Sequence, residues 1–315
     1  MLKSKLFLSF FLLTGLFARG QYTETINSNR PGESQGAYAV GIKVLQLEAG
    51  GYFGNDDHSL YHTSTDIWGV NYMLRYGFLS ENLELNLSGS FENQTSSYDV
   101  AGHTQENKLS NFKSNTIGAK FLLFNPYRDM KPWEPSIRSW DENQKFRWRT
   151  LIPAVSVYGG ANFSFGDNPY LYEGEGKFSP KAAVITQNNW GQWVLVLNFI
   201  ADKFTEEHPV YAGIATLTHA FNPKFAIFGE YQGIINDLYA DDIFRAGAAY
   251  LITGDLQADV SGLINFKDTP SRWQLAAGLS YRLDMHSEDD YLEKQQQEMK
   301  DKPKRMFGRS EGRKN

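Results

Sequence analysis

From Arg272 to Leu283 the chain alternates without a break, and this stretch constrains the fold more than any other. Trp273, Leu275, Ala277, Leu279, Tyr281 and Leu283 occupy one parity, and Gln274, Ala276, Gly278, Ser280 and Arg282 the other. Successive side chains of a strand point to opposite faces, so the segment predicts a strand with one apolar surface and one small, polar surface. In a soluble sandwich the apolar face meets a core. In an outer-membrane barrel it meets lipid, and the polar face lines a lumen. The choice rests on whether the rest of the chain repeats the design.

The design recurs along the chain. Val40 to Phe53 sets Leu45, Leu47, Ala49 and Phe53 against Gln46 and Glu48. Thr65 to Leu79 sets Trp68, Val70, Tyr72, Leu74, Tyr76 and Phe78 against Asn71 and Arg75. Leu83 to Tyr98 sets Leu83, Leu85, Leu87 and Phe91 against Glu84, Asn86, Ser88 and Glu92. Phe112 to Phe124, Leu151 to Phe165, Phe178 to Gln187 and Gln192 to Asp202 follow, then Val210 to Phe221, whose facing the pattern leaves open. Phe225 to Ile235, Ile243 to Ile252 and Leu256 to Phe266 precede the closing strand. The expected total is about twelve, an even number as in single-chain bacterial barrels. Composition agrees: aromatics reach 15% while all hydrophobic residues reach only 41%, and mean hydropathy is -0.45. A chain rich in rings yet hydrophilic on average results when half of each strand faces lipid and half faces water. The expected fold is therefore all-β: a transmembrane, antiparallel, up-and-down outer-membrane β-barrel over residues 40–283, in contact with outer-membrane lipid.

The flanks read differently. A short basic start, the apolar run Leu6 to Phe17 and the small residues Ala18 and Gly20 predict a signal peptide over residues 1–20, with Gln21 as mature start. The apolar run is shorter than the ~20 residues of a spanning helix. With no Cys in the chain, a lipoprotein anchor, disulfides and thiolate metal sites are excluded. Residues 21–39, with the turn-rich Asn27-Ser-Asn-Arg-Pro-Gly32, predict a periplasmic lead-in or a lumen plug. Residues 284–315 turn acidic at Glu288-Asp-Asp290 and basic at Lys302-Pro-Lys-Arg305, which predicts a disordered periplasmic tail that offers a docking arm to a periplasmic protein. The net charge of -5 gives no basis for a nucleic-acid partner.

Connection lengths give a second test, because such barrels alternate short periplasmic turns with longer external loops. Ser80 to Asn82, Asn188 to Gly191, Asn222 to Lys224 and Thr253 to Asp255 are short and follow even-numbered strands. Gly54 to Ser64, Asp99 to Asn111 and Asp167 to Lys177 are polar and read as external loops. Asn125 to Thr150 is long on the short side; with Trp133, Trp140, Phe146 and Trp148 among Arg138, Lys145, Arg147 and Arg149, it reads as an interfacial or lumen-entering segment.

Glu48, Arg75, Glu84, Glu92, Lys120, Lys181, Asp202, Glu230, Arg245, Asp259 and Arg282 fall on the parity assigned to the lumen. They form a polar conduit or binding site, or they pair across the lumen and stiffen the wall. A charge facing lipid at the midplane costs ~2–4 kcal/mol, so inward placement alone implies no function. Catalysis has little support, and no cofactor or metal site is expected. His219 beside Thr218 is the one strand-borne candidate for a lipid hydrolase, which needs a nucleophile, a base and a group orienting the base. His58 and His62 lie in a predicted loop, and Glu173 and Glu175 read as solvated loop acids.

Asn27-Ser-Asn-Arg-Pro-Gly32, followed closely by Leu45-Gln-Leu-Glu48, resembles the opening of the outer-membrane transporter-like family labelled MetA-pathway of phenol degradation, and in particular its members from Bacteroidetes-type bacteria. Ile137-Arg-Ser-Trp140 before Leu151-Ile-Pro153, Phe178-Ser-Pro-Lys181 and Leu279-Ser-Tyr-Arg282 are similar to that group as well. The resemblance implies a barrel that passes small, aromatic or hydrophobic solutes, and it maps Arg30 and Glu48 onto family positions. On this reading the lead-in folds into the lumen and Arg30 pairs with an inward acid such as Glu48 or Glu84; alternatively Arg30-Pro-Gly32 only anchors the first turn. A channel or transporter is the leading expectation, a structural or interaction barrel in an envelope or secretion assembly the second, and the hydrolase a distant third.

Overall fold

The structure, a computed structural model, describes residues 25–100, 103–130, 148–172 and 174–286. The predicted signal peptide, Trp133, Arg138, Trp140, Lys145, Phe146, Arg147, Glu173 and the tail from Ser287 lie outside the described residues. Twelve strands follow in order: β1 (Val44–His58), β2 (Thr63–Gly77), β3 (Leu83–Val100), β4 (His103–Phe124), β5 (Ala154–Phe163), β6 (Phe178–Trp190), β7 (Trp193–Asp202), β8 (Val210–Asn222), β9 (Phe225–Ile235), β10 (Ala240–Thr253), β11 (Leu256–Asn265) and β12 (Ser271–Asp284). Each pairs antiparallel with its neighbours in sequence. β12 returns to β1, from Val44 opposite Asp284 to Asp57 opposite Ser271, and closes the barrel.

The alternation explains the architecture. Along β12 the apolar parity Trp273, Leu275, Leu279 and Tyr281 is exposed on the outer wall, while Ser280 and Arg282 are buried inside. In β8, whose facing the sequence left open, Ile214 and Thr216 are buried and Leu217 and Phe221 exposed, so even positions face the lumen. Aromatic rings mark two belts on the outer wall, as expected at the two membrane interfaces. Near the short turns, Trp193 stacks on His219 with ring centres 4.2 Å apart, His219 meets Phe221 at 4.8 Å, and Phe221 meets Phe225 at 6.0 Å. Toward the opposite end, Trp68, Phe91, Phe112 and Phe165 form a chain with successive centres 6.3, 5.5 and 6.4 Å apart.

Two expectations about the connections are corrected. Asp99 to Asn111 is not a loop: β3 and β4 are 18 and 22 residues long, and their pairing continues to Val100 opposite His103. At ~3.3 Å per residue, the nine residues beyond Phe91 carry this hairpin ~30 Å past the upper aromatic belt. Beyond the membrane a strand needs no apolar face, so the polar sequence misled the assignment. Gly54 to His58 and Thr63 to Ser64 are likewise strand rather than loop. The long connection after β4, in its described parts, lies against the turns of the lower rim. Asn125 caps a single helical turn over Pro126–Asp129 by accepting the Tyr127 amide. Tyr127 donates its hydroxyl to Asn189 O at 2.7 Å, and the Trp190 indole donates to Thr150 O at 2.7 Å. Arg128 holds the carboxyl of Asp129 below the usual carboxylate range through its hydrogen bond.

Candidate functional site

The lumen contains the lead-in. Pro31, with no amide hydrogen, and Gly32 keep this stretch from continuing any ladder. Its peptide groups, buried away from bulk water, need partners from the wall. The chain enters beside the β10–β11 turn, where the Ile26 amide donates to Gly254 O at 2.8 Å. Asn27 O accepts from Gln46 of β1 at 3.0 Å and from Arg75 of β2 at 2.6 Å. The amides of Asn29 and Arg30 and the Ser28 hydroxyl all donate to the Glu48 carboxylate at 3.1 Å. The segment then crosses the lumen. Glu33 and Ser34 amides donate to Glu230 of β9 at 3.1 and 3.2 Å, and the Asn198 amide group of β7 both accepts from Gln35 N at 2.7 Å and donates to Gln35 O at 3.0 Å. The Ala37 amide donates to Gln187 of β6 at 2.9 Å, and its carbonyl accepts from Ser156 of β5 at 2.5 Å. Lys120 of β4 donates to Gly36 O and Tyr38 O at 2.9 and 3.0 Å, and the Val40 amide donates to Glu84 of β3 at 3.0 Å. With Thr216 of β8, Gln257 and Asp259 of β11 and Ser280 of β12, every strand except β10 hydrogen-bonds the lead-in among the described residues.

Arg30 is the one strong charge on the crossing segment that meets the wall. Its guanidinium pairs with Asp259 in a fork, Nη2 to Oδ1 at 2.9 Å and Nε to Oδ2 at 3.1 Å. It lies flat over Gly50 and Gly278, which face each other across β1 and β12, and a Cβ at either glycine would occupy the guanidinium's place. Glycine is required there for close approach, not for an unusual backbone angle. The expected partners of Arg30 are thereby corrected. Glu48 takes backbone amides of the lead-in, and Glu84 is already engaged by Arg75 at 2.9 Å and Lys120 at 3.3 Å. These three side chains are fully buried, so each charge needs its partner in place.

The other predicted site residues are more dispersed. Glu230 also binds Arg245 at 2.9 Å, and that guanidinium reaches Gln232 at 2.7 Å. Glu92 binds Lys113 at 2.9 Å and accepts the Tyr52 hydroxyl at 2.7 Å, above the crossing. Lys181 and Asp202 pair at 3.2 Å near the upper mouth. Arg282 meets Asp255 at 3.0 Å at the lower rim, in the β10–β11 turn beside which the lead-in enters. Most partners that the sequence did not single out are neutral: Gln46, Ser156, Gln187, Asn198, Thr216, Gln257 and Ser280. Only inward parity marked them, and Thr216 lacked even that because the pattern leaves the facing of β8 open. His219 points outward, stacked on Trp193, while Thr218 lines the lumen, so the strand itself separates the two proposed hydrolase groups.

The lead-in divides the lumen. Above it lies a cavity of about 540 Å³, with Asn29, Arg30, Gly32, Glu33 and Gln35 as its floor. Tyr170 from the β5–β6 loop reaches into it, and burial pushes its phenol up to about 12. Below lies a second cavity of about 260 Å³, roofed by Asn27 to Gly32 together with Ser34 and Gly36. Asn29, Arg30 and Gly32 border both.

Comparison with solved structures places the fold among outer-membrane barrels. An outer membrane channel from Pseudomonas putida F1 superposes with a TM-score of 0.53 at 12% identity, covering 81% of this chain and 100% of that one. The NanC porin gives 0.48 at 10% identity over 75% of this chain and 100% of its own. A deltaS2 mutant of the TodX monoaromatic hydrocarbon channel gives 0.43 at 10% over 77% and 90%. No curated protein sequence matches the chain at a significant level. Over residues 28–283 the sequence matches the model of one family, from the start of the crossing segment to the end of the wall. The chain belongs to the family described as "Putative MetA-pathway of phenol degradation".

Proposed function

We propose that the protein is a gated outer-membrane channel for small solutes, in which the lead-in is the gate. One observation carries this reading: a segment of non-wall chain separates two cavities that would otherwise form one passage. Smaller barrels are packed solid with wall side chains and larger ones leave a channel; here the filling is a separable piece of chain. The family description, which refers to phenol, supports aromatic or hydrophobic solutes as cargo. The conduit works without a catalytic step.

Single-channel recording of the refolded protein in planar bilayers tests the reading, with the full chain compared to one lacking residues 21–36. Conductance that appears or rises on truncation is the expected result. Silence in both proteins, with the barrel folded, would move the weight to an assembly role, which the charged tail from Asp284 favours on composition. Pull-down of periplasmic proteins with and without that tail distinguishes the assembly role.

A further inference from the structure

The lead-in is not uniform. From Ser34 onward it is built into the wall: Ser34, Ala37 and Val40 are buried, and Ala37 sits fully enclosed in an apolar cluster of Leu122, Ala154, Tyr158, Ile185 and Val196. Residues 27–32 are only half-buried, belong to no apolar cluster and have open space on both sides. They are held by hydrogen bonds and one ion pair, interactions that water can replace. The buried apolar contacts of the second limb have no such substitute.

The wall beside the thin limb is also two-sided. Above it, β7, β8 and β9 present Ile200, Ile214 and Ile234 to the cavity, with Asn198 and Gln232 among them, while Asn71, Ser88 and Ser90 of β2 and β3 face them across it. Below it the apolar side continues with Val194, Val196 and Phe228. The basic side chains of the upper cavity are matched: Arg30 with Asp259, Lys113 with Glu92, Lys177 with Asp167, Lys181 with Asp202, and Lys203 with Glu175.

We infer that the limb over residues 27–32 is the whole moving gate, and that the path it uncovers runs along β7–β9 and suits compact neutral solutes with one apolar face and one hydrogen-bonding edge. Residues 34–43 stay in place while it moves. This rests on the channel reading above and adds to it the moving part, the path and the solute class.

The absence of cysteine makes the inference directly testable. Ser28 and Ser280 hydroxyl oxygens lie 2.7 Å apart, as do those of Ser34 and Thr216, so each pair replaced by cysteines brings two sulfurs within bonding reach. Both tethers, Ser28→Cys with Ser280→Cys and Ser34→Cys with Thr216→Cys, are made in the Arg30→Ala chain. The potassium chloride conductance of that parent reports separately on the channel reading. Disulfide formation is scored by loss of thiol labelling. The expected result is that the oxidised Ser28–Ser280 tether lowers conductance at least tenfold, that reductant restores it, and that the Ser34–Thr216 tether leaves it within twofold. Closure by both tethers, or by neither, overturns the assignment of the gate. For the solute class, benzyl alcohol should reduce the parent's current more than glucose at equal concentration. Equal or stronger block by glucose overturns that part.

Discussion

Replacing Arg30 with alanine removes the one ion pair between the thin limb and the wall. The pair is forked, and the Asp259 side chain has no solvent exposure. Taking one partner from a buried, hydrogen-bonded pair costs ~3–5 kcal/mol, because the remaining charge is left without compensation. Only the part that differs between closed and open states biases the gate. In the open state Asp259 faces a wet lumen. In the closed state water entering the vacated guanidinium site recovers some hydration, so the lower end of the range applies. At 1.4 kcal/mol per tenfold change, ~3 kcal/mol shifts the closed-to-open ratio roughly 100-fold. A chain open for roughly one part in a thousand of the time would then be open about a tenth of it. Single-channel open probability measures this, with thermal melting of the barrel as a control on folding. The second arm is Arg30→Ala combined with Asp259→Asn, which leaves no unpaired charge and should recover much of the closure. An Arg30→Ala protein that folds and stays as silent as the parent would refute the reasoning, as would a double variant more open than the single one.

Three further outcomes are expected. Gly278→Ala puts a methyl group where the guanidinium lies, so it should open the channel about as far as Arg30→Ala and add little to that variant; additive effects in the double variant would show that the glycine matters for another reason. Lys120→Met strips two lead-in carbonyls and Glu84 of a buried donor and should cost ~3–5 kcal/mol, read as a lower urea midpoint of the refolded barrel; an unchanged midpoint contradicts it. At the lower rim, the Asp129 carboxyl is held below its ordinary value of 3.8 by Arg128, so its bond to the Asn125 amide contributes above that value and is lost as pH falls through the lowered one. The NMR shift of the Asn125 amide should follow this titration, and Asp129→Asn should abolish it.

The sequence carried the wall well because lipid imposes a strict rule on it. A charged or amide side chain on the outer parity of a spanning strand is costly, so inward residues such as Glu48, Arg75, Glu84 and Glu230 could be placed by counting twos. Outside the lipid the rule lapses, and Asp99 to Asn111 was read as loop although it forms β3 and β4. The gate was half-legible. Lack of alternation and the family resemblance left two readings of the stretch around Arg30, a lumen plug or an anchor for the first turn. Which acid it meets did not follow, because six inward acids had the right charge and the choice is made by shape: Asp259 stands in the same lateral row as the two facing glycines that leave room for a flat guanidinium. Neutral partners such as Asn198 and Gln187 were invisible as individuals, since any inward amide looks alike until a peptide group is set against it.

The position of Arg30 has a mechanical side. Gly50 belongs to the first strand and Gly278 to the last, and Ser28 touches both Glu48 of the first and Ser280 of the last. The limb therefore lies across the joint where the sheet's two ends meet, a joint between residues more than 200 positions apart in the chain. It is a clasp as well as a stopper. A barrel assembling in the membrane would form this joint late, after the neighbouring hairpins, and the limb can bridge it from within as the edges approach. Releasing the limb leaves the joint to its backbone ladder, the Asp56–Arg272 pair and the Phe53–Trp273 contact, so a protein that opens often should also come apart more readily along this line.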